Sequence, residues 1–71
     1  MYEKILALLK NGVSLEITMS SGQLFTASGY EKETTERIKS PVIVMYISDN
    51  EYPLFVNTDF IESFRMIFDD H

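Results

Sequence analysis

The sequence predicts a mainly-β domain that opens on one α-helix and whose strands bend into a small barrel. Three observations carry that expectation. Residues 13–19 alternate apolar and polar without a fault, the period of a half-buried strand. Gly29 falls inside the following strand pattern, where a bulge, a sharp bend or a close backbone approach is expected, and a strand bent that strongly can serve two sheets of one barrel. Residues 42–47 are apolar on both faces, so both faces should be covered, by the helix and the barrel interior or by another subunit.

Taken in order, residues 2–11 form the helix. Tyr2, Ile5, Leu6, Leu8 and Leu9 share one side at a 3.6-residue period, Glu3 and Lys10 suit the helix dipole, and Asn11-Gly12 stops it. Val13, Leu15, Ile17 and Met19 then point one way from the first strand. Ser20-Ser21-Gly22 turns the chain into a hairpin with residues 23–30. On that return strand Phe25, Ala27 and Gly29 share one face and Leu24, Thr26, Ser28 and Tyr30 the other. Residues 31–40 are charged and polar and read as a long loop. Pro41 opens the strand 42–47, Ser48 to Glu51 form a turn, and residues 52–57 a fourth strand near an edge, because Pro53 lacks a ladder donor. Residues 60–67 fit two patterns. Phe60, Ile61, Phe64, Ile67 and Phe68 make a helical face, with Asp59 and Glu62 spaced as a capping pair; Phe60, Glu62, Phe64, Met66 and Phe68 make one face of a strand.

Composition bounds the function. The chain has 71 residues, 45% of them hydrophobic, with no cysteine and no tryptophan. That describes one small domain without disulfides, thiolate metal ligands or a cysteine nucleophile. No apolar run approaches the ~20 residues a bilayer requires. Met1-Tyr2-Glu3-Lys4 does not read as a signal peptide, so a cytoplasmic setting without membrane contact is expected. A domain this small buries only about 60% of its unfolded surface, and association with copies of itself is one remedy.

Charge is unevenly placed. Residues 1–30 and 31–40 each sum to zero; Asp49, Glu51, Asp59, Glu62, Asp69 and Asp70 face Arg65 alone in the remainder, which therefore carries the whole net charge of −5. That sign is wrong for a protein that coats phosphates with its whole surface. Lys32, Arg37 and Lys39 are the one cationic cluster dense enough for a local nucleic-acid patch, and a solvated loop of mixed charge is its plainer meaning. The parts of a catalytic site are missing. The one histidine, His71, ends the chain, no serine has a partner base, and the glycines make no phosphate loop. No enzyme activity, cofactor or metal site is expected. Asp69, Asp70 and His71 form at most a loose cation cluster. The phenylalanines read as core or interface. Tyr30, Tyr46 and Tyr52 have the amphipathic form of base-stacking or subunit-contact residues.

Residues 8–25, Leu8 to Phe25, combine a helix ending in Gly, an alternating strand, a polar-Gly turn and a bent strand. Residues 55–64, Phe55-Val56-Asn57-Thr58-Asp59-Phe60-Ile61-Glu62-Ser63-Phe64, set a very short turn between two strands. Together these stretches resemble the two motifs of the Sm/LSm family, which includes a bacterial RNA-chaperone branch. The resemblance covers about residues 2–67 and lies in pattern more than in invariant residues. It implies a strongly bent five-stranded SH3-like barrel capped by the helix, with residues 60–67 as the fifth strand. It also implies a homo-oligomeric ring in which the fourth strand of one subunit pairs with the fifth of the next. Tyr52, Leu54 and Val56 would then meet Phe60, Glu62, Phe64 and Met66 of a neighbour. Single-stranded RNA is the ligand so implied. The family's acidic–apolar–Asn base-holding pattern is not present in Tyr30-Glu31-Lys32-Glu33, and Asn57-Thr58-Asp59 has an acid where the family has a basic or Gly-rich turn. Only Tyr30, Lys32 and Asn57 carry over, as loose counterparts, beside the cations Arg37 and Lys39. The alternative function is a protein–protein or scaffold module, of the kind a virus or mobile element carries, using its acidic face.

Overall fold

The computed structural model describes residues 1–68; the expectations for Asp69, Asp70 and His71 lie outside them. The order is helix α1 (Tyr2–Lys10), β1 (Ser14–Met19), β2 (Leu24–Tyr30), helix α2 (Lys32–Ile38), β3 (Val42–Ile47), β4 (Leu54–Asn57), a 3-10 turn (Thr58–Phe60) and β5 (Ile61–Ile67). The five strands form one antiparallel sheet in the order β4-β3-β2-β1-β5. The expected fold class is thus present: mainly β, an N-terminal helix, and a small barrel-like sheet. The sheet is not closed, however. β4 and β5 are its two free edges. Among the described residues no helix is long and apolar enough to cross a membrane.

Helix α1 ends as its sequence dictates. Gly12, at φ +79°, donates to the Leu9 carbonyl, and Val13 donates to the Leu8 carbonyl at 3.0 Å. These are the paired bonds of a Schellman cap, and they need a left-handed residue where Gly12 stands. Ile5 and Leu9 of α1 are buried with Leu15, Ile17, Ala27, Ile43, Met45, Val56 and Ile61 in one core.

Two bulges change which residues face that core. The β2–β3 register skips Ser28, whose hydroxyl donates to the Tyr46 carbonyl at 3.4 Å. Because side chains alternate with a period of two, one extra residue moves everything after it to the opposite face. Tyr30 therefore joins Phe25 and Ala27 on the core side, and Gly29 turns outward; alternation alone places each on the other face. The β1–β5 register skips Glu62 in the same way. Ile61, Phe64 and Met66 face inward opposite Met19, Ile17 and Leu15, while Phe60 stands outside the strand in the 3-10 turn and is exposed.

The segment 31–40 is not the loop its polarity suggests. Its centre is α2, capped by Glu31, whose carboxylate accepts the amides of Glu33 at 3.0 Å and Thr34 at 2.7 Å. Glutamate is not a favoured capping residue, which hides this start from a sequence scan. The Glu33–Arg37 pair at i,i+4, 3.2 Å apart, is a helical signal on its surface. Helix α2 packs on β3 and covers the outward face at Val44, which is why β3 is apolar on both sides. At Val44 the cover comes from within the chain, whereas Tyr46 on the same face stays exposed. Where β2 leaves β3, Glu31 donates its amide to the Val44 carbonyl, and the buried Thr35 hydroxyl accepts the Val44 amide at 3.0 Å.

Candidate assembly and nucleic-acid surfaces

The sheet presents two unpaired margins of different character. On β4, Val56 points into the core, Leu54 is half-buried and Phe55 projects outward. Tyr52 precedes the strand on an exposed turn, braced by the Asn50 side-chain carbonyl, which accepts the Tyr52 amide at 3.3 Å. On β5, Phe64 and Met66 face the core side, but among the described residues no further strand lies beyond them. Phe64 is only half-buried and Met66 is exposed, although each sits opposite a fully buried partner on β1. Ile67 and Phe68 continue this apolar margin at the end of β5. Exposed strand edges with apolar side chains are the usual template for pairing with another chain. Of the residues expected at a subunit interface, Tyr52, Phe60, Glu62 and Met66 are exposed, Leu54 and Phe64 half-exposed, and Val56 is buried.

The residues assigned to nucleic acid divide differently. Tyr30 packs against the core after the Ser28 bulge, so its ring is not a free stacking platform. Asn57 caps the 3-10 turn through Asp59 N–H, 2.9 Å from its Oδ1, and pairs with Val42. The adjoining Thr58 is buried and donates both its amide and its hydroxyl to the Pro41 carbonyl. That pair of bonds places the end of β4 beside the segment Lys39–Pro41. Lys32, Arg37 and Lys39 are all exposed. Arg37 is tied to Glu33. Among the described residues no ion pair engages Lys32 or Lys39. Lys39, at φ 70°, holds a backbone conformation that favours glycine, which fixes the direction in which the chain leaves α2.

The electrostatics of this region are balanced rather than cationic. Glu31, Glu33 and Glu36 alternate with Lys32, Arg37 and Lys39. The Glu31 carboxyl is held below the ordinary glutamate range, chiefly by hydrogen bonds from the Thr34 hydroxyl and amide, with smaller help from the Glu33 amide and the Arg37 charge and against a desolvation penalty. It stays ionised as the cap of α2. The outer face of β1 and β5 carries a second surface pair, Arg65–Glu16 at 3.3 Å. Among the described residues no three His, Cys, Asp or Glu side chains gather where a metal ion could sit. Comparison with protein-family models, with curated proteins and with solved structures finds no match for the chain.

Proposed function

We propose that this protein is a non-catalytic, Sm-like assembly module. Copies join the β4 edge of one to the β5 edge of the next and close into a homo-oligomeric ring. The observation that carries this is the open sheet with an apolar margin at each end, the β5 side chains Phe64 and Met66 standing partly uncovered opposite buried partners. Pairing of unlike edges is head-to-tail, so it closes into a ring where the rotation between copies allows. Light scattering after size exclusion tests it: the expected mass is several times 8.2 kDa, and a monomer at micromolar concentration would refute the ring.

Single-stranded RNA is the ligand we assign to the ring. Support comes from Lys32 and Lys39, exposed cations with no ion-pair partner among the described residues, which a ring would repeat once per subunit. Repetition of weak sites raises avidity without new contacts. Titration with a uridine- or adenine-rich oligonucleotide should show binding that weakens steeply with salt. Lys32→Glu should reduce it and leave the oligomer mass unchanged. Absence of binding by the assembled protein at low ionic strength would remove RNA from the reading.

A further inference from the structure

The outward face of the β3–β4 hairpin, beside the edge strand β4, carries aromatic surface apart from the cations of α2. Tyr46 leans over Gly29, where a Cβ would lie 3.7 Å from the Tyr46 Cδ2. It remains 46% exposed. Phe55, opposite Val44 and diagonal to Tyr46 on the same face, is 58% exposed, and Tyr52 on the connecting turn is 74% exposed. The turn itself adds Asp49 and Glu51, both exposed, and residues 42–57 contain no lysine or arginine. The turn is well defined: Asn50 donates to the Ile47 carbonyl, Asp49 takes φ 65°, and Asn50 accepts the Tyr52 amide.

We infer that this face is a docking site for a protein segment that presents arginine or lysine among apolar residues. Each component of the face points to that chemistry. Ring faces attract cations through their quadrupole, and guanidinium does so best while it also stacks. Two carboxylates at the rim, engaged by no ion pair among the described residues, steer and hold the same charge. Phe55 and Tyr52 offer the apolar area that a charged contact alone lacks, and aromatics of this kind are the residues from which interface hot spots are built. An anionic nucleic-acid backbone is disfavoured by the same carboxylates. The site uses residues distinct from Phe64, Met66, Lys32 and Lys39, but it borders the β4 edge and includes Tyr52, so peptide binding and oligomer mass are read on the same variants.

The test is fluorescence anisotropy with a short labelled peptide in which Arg is interspersed with Leu and Ser, against the same peptide with Glu for Arg. The Arg peptide should bind saturably and the Glu peptide should not. The double variant Tyr46→Ala/Phe55→Ala should weaken binding about tenfold or more, as loss of aromatic anchors does. Asp49→Asn/Glu51→Gln, which keeps the shape of the turn, should weaken it several-fold and flatten its salt dependence. Circular dichroism and light scattering on each variant separate loss of the site from loss of fold or assembly. Equal binding of both peptides, or unchanged affinity in the charge variant, overturns the proposal. A fall in oligomer mass on Tyr46→Ala/Phe55→Ala also overturns it, because a second copy would then be the occupant.

Discussion

Thr35 joins two elements with one hydroxyl. It is fully buried, and its oxygen accepts the amide of Val44, a backbone donor that β2 no longer reaches. Thr35→Val keeps the shape and removes the acceptor, so it should destabilise the fold by about 1–3 kcal/mol in denaturant titration, while Thr35→Ser should recover much of that loss. The glycines separate just as sharply. Gly12 is required by its left-handed φ, and Gly12→Ala should cost about 1 kcal/mol. Gly29 has no such φ, and an added Cβ would make only ordinary contact with Tyr46, so Gly29→Ala should leave the midpoint nearly unchanged. The presence of Gly29 in a strand pattern correctly marks an irregularity. It does not say that Ser28 is the residue that bulges, nor that Tyr30 thereby changes face. An extra residue in a ladder depends on the partner strand's register, which no local pattern encodes.

At the scale of elements, α1 and β1 were legible because each has an unbroken period and a clear stop, β2 because a polar-Gly turn returns the chain after β1, and β3 because a short wholly apolar run follows Pro41. Helix α2 was not. Its apolar contribution to the core is small, its cap is a glutamate, and its burial of Val44 and Thr35 is tertiary. The last segment fits two periods equally well, and pairing with β1 decides it as strand. The cap of α2 makes a pH prediction. Folding lowers the Glu31 pKa, so ionised Glu31 stabilises the docked helix most fully above the ordinary glutamate value. That contribution is lost as pH falls from there through the depressed value. Protection of the Thr34 and Val44 amides, measured against the intrinsic exchange rate at each pH, should fall on that acid limb, and Glu31→Gln should remove the Glu31 component of the change.

For the molecule as a whole, the question is how much apolar surface an open sheet leaves uncovered. The core is continuous from α1 through all five strands, yet the β5 end of it thins toward solvent at Phe64 and Met66. If a neighbour's β4 covers that margin, Phe64→Asp buries a charge at the seam and should dissociate or unfold the protein, seen as a fall in scattering mass or a lost melting transition. If the mass is that of a monomer before any substitution, the edge is free and the ring is not the assembled state. The candidate binding residues were legible only as charges and aromatics. Which of them the fold spends internally, as it does Tyr30 and Asn57, became visible with the bulge and the cap.

The spacing from Glu31 to Thr35 works as a ruler. One point of it meets the Val44 carbonyl and the other the Val44 amide. Inserting or deleting a single residue between them would swing the hydroxyl about 100° around the helix axis and strand a buried donor. The stretch that looks expendable, charged and remote from the core pattern, is therefore held to a fixed length by its two bonds to Val44.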